Sequence, residues 1–269
     1  DELDTLGVRV AKLEKKADNV KITGETRLRY WNFDGSNRAQ GDKTQLRTRI
    51  WVKGQVNADW TATAMLENVQ TFNRSEVGEE NTDFQRAYVN GKVGGLKVQA
   101  GRYSYCDYLG GLIYDDRMDG VQVSYGKDVK VTAAVGKGTD NKTAAAGAAQ
   151  RRNAEDMAYV EVATKLGMVD AKAAYYKFDN VMSTANVAND YEIYAINAGL
   201  PLAKDLKLAA TYLINESENV VNDDDGYVVA LNYKKASAAK PGSWAVWAKY
   251  YDQPSGTFVA PTFEADDAS

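Results

Sequence analysis

Histidine is absent from this 269-residue chain, and cysteine occurs once, at Cys106. Without histidine no Ser–His or Cys–His nucleophile pair can form and the commonest metal ligand is missing. A single cysteine can neither close an internal disulfide nor build a thiolate metal cluster. The residues therefore point to no catalytic site, no metal and no cofactor. The segment 222–226 is rich in aspartate but lacks the ligand spacing and closing glutamate of a calcium loop. Long apolar runs are missing as well. Mean hydropathy is -0.48, and no stretch approaches the roughly 18 apolar residues that a membrane-crossing helix needs. The formal net charge is -4 with no extended basic run, so a nucleic-acid partner is not expected. Prolines number four and all fall late, at Pro201, Pro241, Pro254 and Pro261.

The first 20 residues repeat apolar positions at helical spacing: Leu3, Leu6, Val10, Leu13, Ala17 and Val20. Their 3-4-3-4-3 steps form an a/d seam of a short coiled coil, too short to stand alone, so partner helices are expected. From Lys21 onward the period changes to two, the period of a strand. Thr44, Leu46, Thr48, Ile50 and Val52 alternate with Gln45, Arg47, Arg49, Trp51 and Lys53. Val129, Val131, Ala133 and Val135 alternate with Lys130 and Thr132, and Leu206, Leu208, Ala210 and Tyr212 continue the pattern. About thirteen such segments follow one another, many with roughly the 9–11 residues of a tilted strand that crosses a bilayer.

The connections alternate in length. Short turns at 54–55, 94–95, 126–128, 167–168, 201–205 and 236–242 separate long polar loops at 34–42, 71–82, 104–119, 137–156, 179–190 and 215–225. Strict alternation of short turns and long loops is the signature of an outer-membrane barrel. With so many strands the interior is too wide for side chains to fill. The apolar face should then look outward to lipid and the polar face inward to water. Tyr30, Trp31, Trp60, Tyr88, Tyr103, Tyr125, Trp244 and Tyr250 fall near strand ends, where interfacial girdles form. The expected fold is thus all-β: an antiparallel transmembrane β-barrel over 21–269, preceded by the coiled-coil helix 1–20.

The polar face of the early strands is basic: Arg27, Arg29, Arg47, Arg49, Lys53, Arg86, Lys97 and Arg102. The third long loop, 104–119, carries Asp107, Asp115, Asp116 and Arg117 together with Leu109, Leu112, Ile113 and Tyr114. A loop this apolar should pack against something, and the inner wall is the available surface. Acids on the loop facing bases on the wall would narrow a pore and set a transverse field. The coiled-coil segment also suits a structural tether or adhesin with a closed barrel. A barrel enzyme would have to work by carboxylates alone, and a soluble β-sandwich is the alternative at the level of fold.

The stretch Val20-Lys-Ile-Thr-Gly-Glu-Thr-Arg-Leu-Arg-Tyr30, then Ala100-Gly-Arg102 before the third loop and 116–125 after it, resembles the porins that carry an S-layer-homology domain, the OmpM type. The resemblance covers nearly the whole chain. It implies a homotrimer of sixteen-stranded barrels in the bacterial outer membrane, with lipid and lipopolysaccharide around them and the third loop folded into each pore. It implies passive diffusion of ions and small hydrophilic solutes. It also implies a stalk ending at 3–20 and a grip on a peptidoglycan-linked polymer through an S-layer-homology domain that this chain does not contain. By the same measure, the last strands and an aromatic-terminated end are expected but absent from the 269 residues.

Overall fold

Backbone pairing between sequence neighbours builds the molecule. The computed structural model describes residues 7–8, 19–33, 41–72, 80–138, 154–182, 188–218, 224–237 and 239–262. Its strands are β1 (Val20–Phe33), β2 (Gly41–Gln55), β3 (Trp60–Thr71), β4 (Glu80–Val93), β5 (Leu96–Cys106), β6 (Asp115–Tyr125), β7 (Val129–Gly138), β8 (Asp156–Leu166), β9 (Val169–Met182), β10 (Ala188–Ala203), β11 (Leu206–Asn215), β12 (Asp225–Tyr233) and β13 (Val246–Asp252). A 3-10 turn at Ser255–Thr257 follows. All thirteen strands lie in one sheet in chain order, so each connection is a simple reversal. By contacts the chain divides into two compact units. Unit 1 holds 1–94 and 99–103, and unit 2 holds 95–98 and 104–269.

Registers follow the alternation read in the sequence. In unit 1, Arg27 pairs with Arg47 and Glu25 with Arg49, then Arg49 with Glu67 on β3. In unit 2, Thr132 pairs with Glu161, Glu161 with Ala174, and Ala174 with Ala195. The opposite face is apolar and open: Val135, Ile196 and Leu166 in unit 2, like Ile22 and Leu28 in unit 1, are more than half exposed. A soluble protein rarely leaves so extended an apolar surface uncovered.

Glycines allow the tightest geometry. Gly126 has φ 94° in the β6–β7 turn, where a Cβ would sit 1.9 Å from the Val129 carbonyl oxygen. Gly120 and Gly136 pair with one another, and a Cβ on Gly136 would stand 2.3 Å from Asp119 O and 2.6 Å from the Gly120 Cα.

One boundary differs from the sequence reading, and the rest of the helical seam is not described. Leu3, Leu6, Val10, Leu13 and Ala17 lie outside the described residues, although Gly7 and Val8 are helical. Val20 opens β1 instead of closing the seam: it pairs with Gly54, and Gln55 N donates to Asn19 O at 2.8 Å. Ladder bonds from the first residue of the run fix it as a strand. Among the proposed girdle residues, Tyr30, Tyr125, Trp244 and Tyr250 are well exposed. Tyr103 is buried and meets Tyr88 edge-on, with ring centroids 6.4 Å apart, so this pair is packed and not interfacial.

The Gly136→Ala variant is expected to lose about 1–3 kcal/mol of stability, because the added methyl overlaps the β6 backbone. Urea unfolding of the refolded protein in detergent measures it, and an unchanged midpoint would contradict the close approach.

Candidate functional site

In unit 1 the basic wall comes with its own acids. Arg49 Nε contacts Glu67 Oε2 at 2.5 Å, and Arg49 Nη1 reaches Glu25 Oε1 at 3.2 Å. Arg47 Nη2 reaches the same Glu25 oxygen at 3.3 Å, and Arg47 Nε lies 3.8 Å from Glu67 Oε2. Two arginines thus share two glutamates across three strands. Each pair is partly solvated and adds little stability by itself, but the network fixes where the guanidinium groups stand. Arg27 is adjacent, opposite Arg47 in the register, and Arg29 is opposite Gln45. Arg86 faces Met65 at an irregularity in the β3–β4 ladder, and its Nη1 donates to Gln85 O at 2.7 Å. Lys97 lies on β5, within unit 2. Arg102 alternates with Tyr103 and Tyr105, both buried on the polar face, so its side chain belongs to the other face and not to the wall. Glu25 and Glu67 are the ion-pair partners that the basic reading passed over. Their signal was the strand period itself, since both fall on the arginine face.

The third loop is shorter than the sequence suggests. β5 runs to Cys106 and β6 starts at Asp115, which leaves 107–114. Asp115, Asp116 and Arg117 are therefore the head of a strand. Asp116 Oδ1 accepts from Arg117 N at 2.7 Å and lies 3.8 Å from Arg117 Nε.

Asp107 does not face a lumen. It is 3% exposed, and its carboxylate accepts four backbone N–H bonds. Leu109 N and Gly111 N donate to Oδ1 at 2.9 and 2.8 Å, and Ile113 N and Tyr114 N donate to Oδ2 at 2.7 and 2.9 Å. Burial raises the carboxyl's pKa above the usual range, while the four N–H bonds draw it down. The side chain replaces a ladder that a loop of this shape cannot make for itself. A sequence shows that an acid is present, but the curl of backbone that consumes it is a tertiary fact.

A second buried carboxylate holds the loop to the sheet. Glu161 of β8 is 0% exposed, and its Oε1 accepts from Tyr105 OH at 2.6 Å, Tyr176 OH at 2.8 Å and Tyr108 N at 2.9 Å. Tyr108 is held at every polar group. Its carbonyl accepts from Lys172 Nζ, its hydroxyl lies 2.5 Å from Thr132 Oγ1, and Lys130 Nζ stands 4.9 Å from its ring centroid. Around this anchor Tyr105 stacks on Tyr159 at 4.2 Å, and Tyr114 on Phe178 at 5.9 Å.

A further segment joins the loop. Residues 253–262 follow β13 and run beside 111–115, with Tyr114 and Ala260 in a parallel bridge. Asp115 N donates to Ala260 O at 2.7 Å, Val259 N to Ile113 O at 3.0 Å, and Thr262 N to Gly111 O at 2.7 Å. Gln253 Nε2 donates to Leu112 O, and Asn215 Nδ2 to Gly256 O, both within about 3 Å. Ile113, Phe258 and Val259 are fully buried as a result. Within unit 2 the polar face is thus covered in part by two chain segments packed as a small core.

Among the described residues no cluster of histidine, cysteine, aspartate or glutamate could hold a metal ion. No family model matches the chain, and no curated protein sequence does. Solved structures do match. Two engineered variants of the Rh. blastica porin align with a TM-score of 0.53 at 14% identity, over 87% of this chain and 85% of theirs. A triple mutant of the Rhodopseudomonas blastica porin aligns with a TM-score of 0.51 at 13% identity and the same coverage. The fold is of the porin type. A porin-type sheet turns alternate residues to opposite faces, as the open apolar face and the charged face do here.

Asp107→Ala should leave four loop amides without their acceptor. Hydrogen exchange at 108–114 is then expected to speed by at least about a hundredfold, as about 1–3 kcal/mol per unsatisfied group implies. Unchanged protection would show that the carboxylate does not organise the loop.

Proposed function

We propose that this chain is a porin of the bacterial outer membrane, a water-filled channel for passive diffusion of ions and small hydrophilic solutes, and not an enzyme. The observation that supports this most is a porin-type sheet whose open face is apolar and whose other face is charged. Lipid covers the apolar face, and water fills the space beside Arg47, Arg49, Glu25 and Glu67. The strands close as an antiparallel barrel, sixteen in the family it resembles, with the short turns at the periplasmic end. The anchored loop narrows the pore and leaves the arginine–glutamate network to select by charge. Arg27, Arg29, Arg86 and Lys97 extend the basic wall. Three barrels assemble as a homotrimer in lipid and lipopolysaccharide, above a coiled-coil stalk that ends before Val20. In the family it resembles, an S-layer-homology domain links such a stalk to the cell wall.

A second reading is a tether whose barrel is closed. The packed contact between 107–114 and 253–262 favours it, because segments that bury Ile113, Phe258 and Val259 occupy space that a wide pore would leave to water.

Single-channel recording of the purified protein in planar bilayers separates the two. Stepwise conductance is expected. Silence from protein shown to be folded and inserted would favour the tether. In the conducting protein, Arg47→Ala with Arg49→Ala leaves Glu25 and Glu67 uncompensated, so the reversal potential in a salt gradient should move toward cation preference. The shift should fade at high salt, where the Debye length falls to about 3 Å at 1 M. An unchanged reversal potential would remove these residues from the selective part of the pore.

A further inference from the structure

The polar face of unit 2 holds a second charged feature that the wall and loop do not explain. Beneath the loop, toward the short turns, lies a recess of about 550 Å³. Six lysines line it: Lys127, Lys130, Lys165, Lys172, Lys207 and Lys249. Among the described residues of the lining two acids oppose them, Asp128 and Asp170. Lys207 Nζ pairs with Asp170 Oδ2 at 2.5 Å.

Register explains how the recess forms. One row across the polar face reads Lys165, Asp170, Gly199, Ala209, Ala230 and Lys249, each opposite the next on neighbouring strands. The row above it pairs Lys130 with Ala163, Ala163 with Lys172 and Lys172 with Asn197. Small residues therefore occupy the floor while ammonium groups stand at its edges. Gly199 contributes directly: a Cβ there would lie 2.8 Å from Lys207 Cε, along the path by which Lys207 reaches Asp170. The roof is Leu109, from the folded loop. Lys172 and Lys130 also hold Tyr108, so two of the lysines are placed by the loop contact itself.

We infer that this recess is a subsite for a small soluble oxyanion of the phosphate type. Lysine ammonium groups are compact point charges on flexible stems, suited to an anion with several oxygens. Confined between low-dielectric walls, an excess of one sign concentrates the opposite ion. At roughly 30 Å³ per water molecule, the volume accommodates a phosphate group with part of its hydration shell, or a small phosphate ester. A lipid headgroup is the wrong source. The lining belongs to the face opposite Val160, Ile196 and Tyr212, which carry the exposed apolar surface. The inference takes from the pore reading only that solutes reach this face.

The experiment is a 31P NMR titration of inorganic phosphate into the full, detergent-purified chain freed of lipopolysaccharide, run beside bilayer recording. A saturable change in linewidth is expected. Lys165→Gln with Lys249→Gln should raise the half-saturating concentration about tenfold, as losing two nearby charges implies. These two are chosen because the Tyr108 contacts involve Lys172 and Lys130 instead. Lys165→Arg with Lys249→Arg keeps the charge and should bind like the parent, which distinguishes charge loss from damage to the fold. A linear, non-saturating response in the parent, or equal saturation in the glutamine variant, overturns the subsite. Saturable binding without conductance would end the pore reading and leave the subsite standing. Conductance without saturable binding would do the reverse.

Discussion

Pairing each strand with its sequence neighbour imposes one condition on which everything else depends: alternate residues must face opposite ways across the entire sheet. In register, Thr132, Glu161, Ala174 and Ala195 share a face over four strands. A slip of one residue would place Lys130, Glu161 and Lys172 among the valines. The ladders therefore decide at once where charge gathers and which face is left apolar. Both the arginine–glutamate network of unit 1 and the lysine recess of unit 2 are rows in that register.

Charge on the polar face is handled in two ways. Where side chains remain partly solvated, as at Arg47 and Arg49, opposite charges on adjacent strands share contacts, and water completes their solvation. Where a carboxylate is buried, the donors that meet it among the described residues are neutral. Asp107 is satisfied by four backbone N–H groups, whereas Glu161 accepts from two phenols and one N–H at Oε1 while its buried Oε2 has no hydrogen-bond partner among the described residues. Neutral donors avoid the desolvation cost of a second buried ion. They also define one geometry, because each donor has a direction. The result is a loop fixed by hydrogen bonds at Asp107 and carried to the sheet by Tyr108.

Much of this was visible in the linear chain and some was not. The thirteen strands and their division into an apolar and a charged face follow from a period of two, which is local and needs no partner to be read. The apolar character of Leu112, Ile113 and Tyr114 correctly signalled that the third loop packs. The roles of its acids were not legible. Asp107 was expected to face solutes, yet the loop consumes it. Asp115 and Asp116 were expected in the loop, yet they begin β6, because extended residues at a loop's edge pair wherever a neighbouring strand offers hydrogen bonds. Arg102 looked like part of the wall, but its alternation with Tyr103 and Tyr105 sets it on the opposite face.

The sequence by itself determined the element type, the strand order and which face of each strand carries charge. Each of these depends on spacing along the chain, and a strand carries its period with it. Only the tertiary structure decided that Glu161 meets Tyr105, Tyr108 and Tyr176. It alone brought 253–262 beside 111–115, and it set small residues on adjacent strands to open a recess among lysines. These contacts join residues tens to more than a hundred positions apart, and no local period encodes which loop folds back or how far. Their partners are selected by the space that the paired strands enclose and by the buried donors and acceptors that must be satisfied inside it.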